Sequence, residues 1–175
     1  MNQFYTLLFL LISLASQAQD GVFLTAADFI ENKAFRPENS KIHERFATVS
    51  LKNQGSKTIY SSENAFGYKL NGRQWRFTEN RTYEVVSTEG LWVYRVQNAT
   101  DLSSFSYYFS DGAYGDIKPL TRHNIKKSFS SNPQLIAVIE KLDWRMDLFQ
   151  PTNFKKLPFI SALFVQVASK NRLPL

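Results

Sequence analysis

Residues 66–77 read FGYKLNGRQWRF, and this stretch decides the fold. Asn71-Gly72 lies at its centre, with large and polar side chains alternating on either side. Both central residues of a type I′ turn need positive φ, which Asn and Gly tolerate, and the twist of that turn matches the twist of paired strands. The register follows from the turn: Leu70 faces Arg73, Tyr68 faces Trp75, and Phe66 faces Phe77. One face of the hairpin is then aromatic, while Lys69, Gln74 and Arg76 occupy the other.

The same alternation extends outward. Upstream, Ala47, Val49 and Leu51 alternate with Thr48, Ser50 and Lys52 from Phe46 onward, before an Asn53-Gln54-Gly55 turn and a short strand over residues 58–61. Downstream, Glu89-Gly90 reads as the turn of a second hairpin that pairs Val86 with Val93, Val85 with Tyr94 and Tyr83 with Val96. Glu84 then stands opposite Arg95, and the face carrying Tyr83, Val85, Trp92, Tyr94 and Val96 is the expected core. Residues 105–110 (FSYYFS) form another strand, closed by the turn-prone Asp111-Gly112 and Gly115-Asp116.

Helices are expected at the two ends. Within residues 21–35, Thr25 caps a short helix whose first turn holds Asp28, and Asn32 and Lys33 end it. The polar stretch 36–45 reads as loop, the least ordered part of the chain after residue 18. Past Pro119 the period becomes helical: Thr121 caps a helix containing Ile125 and Phe129, and Asn132-Pro133 opens another with Leu135, Val138, Ile139 and Leu142 on one side. Residues 157–168 (LPFISALFVQVA) are too few to span a membrane and read as a buried helix or strand. The expected architecture over residues 19–175 is a single α+β domain: an antiparallel meander of five to seven strands with C-terminal helices packed on it.

Residues 1–18 have no charged side chain and carry an apolar run from Phe4 to Ala15, broken only by Tyr5, Thr6 and Ser13. Ser16 and Ala18 supply the small side chains a signal peptidase requires, so cleavage is expected at Ala18-Gln19 and the product is secreted or periplasmic. The chain has no cysteine, which excludes disulfides, thiolate metal sites, cysteine nucleophiles and a lipid on an N-terminal Cys. Its net charge of +6 favours anionic neighbours: anionic glycan, a lipid surface or an acidic protein. The basic residues are dispersed, with only Lys126-Lys127 and Lys155-Lys156 adjacent, so no nucleic-acid partner is expected and a solvated surface is the simpler account.

Candidate chemistry is sparse. His43 in the polar loop and His123 in a helix's first turn lack the helical partner that a metal site uses, and no metal or cofactor is expected. Asp111, Asp116, Asp143 and Asp147 are the carboxylates a hydrolase would draw on, Asp143 and Asp147 by sharing a helical face. The segment 111–116 lacks the regular oxygen ligands and the final Glu of a calcium loop, and a turn explains it better. No G-x-S-x-G motif or Gly-rich phosphate loop occurs. Aromatic residues make up 15% of the chain and could stack on sugars, but the hairpin registers send Trp75 and Trp92 to the core; Trp144 is the third tryptophan. Two sequons occur, at Asn80 and Asn98.

The order GVFLTAADF after the apolar leader, then FGYKLNGRQWRF, YEVV, GLWVY, YYFS and IKPLTRHNIKKSF, resembles a group of small exported proteins of Bacteroidetes. The resemblance covers about residues 21–142 and implies export. That group has no established catalytic residues, so none carries over. The function expected is non-enzymatic binding through a basic, partly aromatic surface; the alternatives are a glycan-directed hydrolase using paired carboxylates and a structural partner subunit.

Overall fold

The computed structural model describes residues 19–141. The signal peptide read in residues 1–18, together with Leu142, Asp143, Trp144, Asp147 and the stretch 157–168, lies outside the described residues. Among the described residues ten strands are formed: β1 (Gly21–Phe23), β2 (Lys41–Arg45), β3 (Thr48–Asn53), β4 (Ser56–Tyr60), β5 (Gly67–Leu70), β6 (Arg73–Phe77), β7 (Thr82–Ser87), β8 (Trp92–Gln97), β9 (Phe105–Ser110) and β10 (Lys118–Pro119). The helices are α1 (Ala26–Ile30), α2 (Arg122–Ser128) and α3 (Pro133–Lys141). A seven-stranded sheet runs β1-β5-β6-β7-β8-β9-β10, and a three-stranded sheet runs β2-β3-β4. This is the antiparallel α+β meander that the alternation predicts, with an added small sheet.

The chain divides into two compact units, one ending at Glu84 and the other beginning at Val85. In the first, Asn71 and Gly72 take φ of 53° and 75°, and the register pairs Tyr68 with Trp75 and Leu70 with Arg73, as read from the turn. The Tyr68 and Trp75 rings stack with centroids 4.9 Å apart. Tyr68 joins Val22, Val49, Leu51, Ala65 and Phe77 in one buried cluster, so the two sheets share this core. On the opposite face Lys69 is buried rather than solvated, and its Nζ and the Gln74 amide both donate to Asn32 Oδ1, 3.1 Å away in each case. Asn32 holds that position through a left-handed φ of 55° just after α1, whose capping box joins Thr25 and Asp28. Packing leaves no room at Gly67: a Cβ there would stand 2.1 Å from the Trp75 carbonyl oxygen.

Two expectations for this unit are corrected. Residues 36–45 are not all loop, because Lys41–Arg45 form β2, paired residue for residue with Thr48–Lys52. Ile42 is the one apolar residue there, so the strand is held by its ladder and carries almost no hydrophobic pattern. The preceding segment is pinned too: the Arg36 guanidinium donates to the Ser40 carbonyl at 2.6 Å, and Asn53 Nδ2 donates to the Glu38 carbonyl at 3.0 Å. Phe46 and Ala47 are not strand but the two-residue β2–β3 turn, with Ala47 at φ 54° and Phe46 82% exposed. A left-handed alanine costs about 1–2 kcal/mol, which is why residue type did not announce this turn.

In the second unit, β8 pairs with β9 from Trp92↔Ser110 to Gln97↔Phe105. The expected core face is buried at Trp92 and Tyr94, but the opposite face of β8 is buried as well. Val93, paired with Phe109, points into a cluster with Leu91, Leu120, Ile125, Leu135 and Ile139, while Val86 and Tyr107 pack around it. Trp92 and Tyr94, on the other face, are buried as well, so the start of β8 is covered on both sides. Helix propensity and capping agree with the observed ends: Thr121 Oγ1 accepts from the Asn124 amide at 3.2 Å, and Asn132 Oδ1 from the Leu135 amide at 3.0 Å. Each fully buried Leu or Ile of this cluster contributes about 1.5–3 kcal/mol of transfer free energy.

Two substitutions test these contacts by urea denaturation. Ile139→Ala should cost about 2–5 kcal/mol by leaving a cavity between α3 and the sheet. Gly67→Ala should cost about 1–3 kcal/mol by forcing β5 and β6 apart, and an unchanged midpoint would contradict the β5–β6 register.

Candidate functional site

Alternation in a strand sends every second side chain to one face, and pairing aligns those faces across a sheet. In the three-stranded sheet Val49 and Leu51 point inward, and the residues opposite them follow: Glu44 and Tyr60 with Val49, Ile42 and Thr58 with Leu51. The outer face is therefore built from three rungs. Lys41, Lys52 and Lys57 form the first, His43, Ser50 and Ile59 the second, and Arg45 and Thr48 the third. Lys41, His43, Arg45, Lys52 and Lys57 are all exposed.

No acidic side chain stands on that face. Glu44, the only carboxylate of the three strands, belongs to the inner set and accepts a hydrogen bond from the buried Tyr68 hydroxyl. The same bond ties β2 to β5 across the shared core. Burial first, and then the contact with Glu44, push the Tyr68 hydroxyl above the ordinary phenol range. The outer face thus carries four positive charges and no carboxylate of its own, although Glu44 is exposed on the alternate positions of β2 and Glu38 lies in the adjoining loop.

The lysine rung is electrostatically unfavourable by itself. Neighbouring strands lie about 4.8 Å apart, and two ammonium charges about 5 Å apart repel by about 0.8 kcal/mol in water. Like charges directly opposite in a sheet destabilise it. Among the described residues none of the three lysines has an ion-pair partner. With Asn39, Asn53 and Gly55 they line an open concavity of about 350 Å³ at the β3–β4 turn. That turn, expected at Asn53-Gln54-Gly55, is a two-residue hairpin loop with φ of 45° at Gln54 and 90° at Gly55. Such a surface attracts anions, most strongly at low ionic strength.

The other candidates fall elsewhere. His43 lies on β2, not in a loop, and shares the basic face; His123 is exposed in the first turn of α2. Asp111 and Asp116 are exposed in the loop after β9, where Gly115 packs so closely that a Cβ would stand 2.5 Å from the Asp111 carbonyl oxygen. Ser110 Oγ donates to the Gly112 carbonyl at 2.7 Å and bonds the Tyr94 hydroxyl at 2.8 Å, which ties this turn to β8. Among the described residues no three His, Asp or Glu side chains gather as a metal site. Trp92 is buried and Trp75 is stacked against Tyr68, so both rings serve the packing. Of the two sequons, Asn80 is exposed, whereas Asn98 bonds Ser104 and Ser106 through its side-chain amide. Among the described residues no helix is long and apolar enough to cross a membrane.

Lys41, Lys52 and Lys57 escaped notice in the sequence because they are separated by eleven and five positions. The Asn53-Gln54-Gly55 turn carried the signal, since a two-residue hairpin there places Lys52 opposite Lys57. No protein-family model matches the chain, and no curated protein or solved structure matches it.

The Tyr68 contact has a testable pH signature. A hydroxyl whose pKa is raised on folding keeps its proton in the native state above about pH 10, where the unfolded chain releases it. Unfolding then releases a proton, so stability from this group is intact below about pH 10 and falls as pH rises beyond it. Urea midpoints measured through that range should fall more steeply for the native chain than for Tyr68→Phe; parallel curves would contradict the buried contact.

Proposed function

We propose that this chain is an exported, non-enzymatic binding protein that takes an anionic glycan on the outer face of its three-stranded sheet. The observation that carries this reading is the three-rung face itself, with Lys41, Arg45, Lys52 and Lys57 exposed and no carboxylate among them. A face whose only charges are cationic and spread over three strands suits an extended polyanion better than a compact substrate. Ser50, Thr48 and His43 lie between the cations and supply hydrogen-bonding groups for sugar hydroxyls. Ile59 and, at the tip of the β2–β3 turn, Phe46 supply apolar surface for sugar ring faces.

Retention on an immobilised anionic polysaccharide tests the reading. The purified protein should be retained at low salt and released by a salt gradient. Lys41→Gln, Lys52→Gln and Lys57→Gln combined should weaken binding about tenfold or more. A control with the same charge change, Lys33→Gln, Arg122→Gln and Lys127→Gln, should elute close to the native protein. Equal losses in both triple variants would show that net charge alone governs retention, and would overturn the reading. Retention on vesicles of anionic lipid but not on glycan would reassign the face to a membrane surface.

A further inference from the structure

The lysine rung is the most concentrated positive charge on the three-stranded sheet, and it coincides with a concavity rather than with a flat part of the face. We propose that this concavity holds one doubly charged tetrahedral oxyanion, a phosphate monoester, so that the anionic ligand is a phosphorylated one. The proposal rests on the glycan-binding reading and narrows its ligand. Lys41, Lys52 and Lys57 approach from three adjacent strands, each on a flexible stem ending in a compact charge with three donors. A phosphate monoester offers three acceptor oxygens and close to two negative charges, one oxygen for each ammonium. A uronate carboxylate offers two oxygens and one charge, which leaves most of the rung's repulsion in place.

The walls fit the same ligand. Asn39 stands at the rim with φ 59°, held there by the hydrogen bond from Asn53 to the adjacent Glu38 carbonyl. Asn53, whose Nδ2 makes that bond, lines the concavity together with Gln54, Gly55 and Ser56. The charged groups around the concavity are the three lysines, His43 in the next rung, Arg45 beyond it and Glu38 in the adjoining loop.

Calorimetric titration of the purified protein at low ionic strength, with inorganic phosphate, sulfate and acetate as probes, tests this. At about pH 7.5 phosphate and sulfate should each bind one to one, and acetate at least tenfold more weakly. At about pH 5 phosphate has lost its second charge and should bind several-fold more weakly, whereas sulfate keeps both charges and should not weaken. The sulfate arm also absorbs any contribution from His43 or Glu38. Lys52→Met keeps the apolar stem and should reduce phosphate affinity about tenfold; Lys57→Met, on the edge strand β4, serves if the first variant does not fold. Acetate binding as well as phosphate, phosphate affinity that ignores these substitutions, or no saturable binding would each overturn the proposal. Phosphate binding that fails while polysaccharide retention persists removes only this inference. Phosphate binding that persists while retention fails removes the glycan and leaves a phosphate site.

Discussion

Burial of Val49 and Leu51 against Tyr68 commits the whole three-stranded sheet. Their side chains are buried in one cluster with Val22, Ala65, Tyr68 and Phe77, so β3 turns that face to the core, and period-two geometry then fixes the direction of every other side chain in β2, β3 and β4. A slip of one residue would bury Lys52 and expose Leu51, at a cost no surface contact could offset. Ionic character on the outer face is therefore a consequence of hydrophobic packing on the inner one. The Tyr68–Glu44 hydrogen bond follows the same division, since the exposed Glu44 carboxylate bonds the core tyrosine from the β2 positions that alternate with the lysine rung.

Much of this architecture was legible in the sequence where local chemistry and alternation agree. Asn71-Gly72 announced both a turn type and a register because few residues accept positive φ at two successive positions. Thr25 with Asp28, and Asn132 before Pro133, announced helix starts because orphan amides need nearby acceptors. Legibility failed where tertiary contacts overrode local pattern. β2 has only Ile42 to mark it and exists through pairing with β3. Alternation assumes one wet side, so it marks Trp92 and Tyr94 as core but misses Val93, although all three are buried. Ala47 gave no turn signal because alanine rarely accepts the left-handed conformation it holds there.

The basic face is a subtler case. Dispersed lysines in a sequence usually mean a solvated surface, and net charge alone cannot say otherwise. What distinguishes Lys41, Lys52 and Lys57 is that pairing places them in one rung, with mutual repulsion and no ion-pair partner among the described residues. A sheet has nothing to gain from that arrangement internally, because a Thr or Gln at any of the three positions would relieve it. On the proposed reading an external anion reverses the sign: the same three charges that repel one another become a preorganised cation cluster, and stability and recognition pull in opposite directions at this rung.

On the proposed reading, anions meet the protein on the outer face of β2, β3 and β4 and not on its other basic surfaces. Residue-resolved chemical-shift mapping during titration with an anionic polysaccharide measures this directly. Saturable shifts confined to Lys41, His43, Arg45, Ser50, Lys52, Lys57 and Ile59 and their immediate neighbours are expected. Shifts centred on Lys126 and Lys127 of α2, or spread evenly over every exposed lysine and arginine, would contradict it.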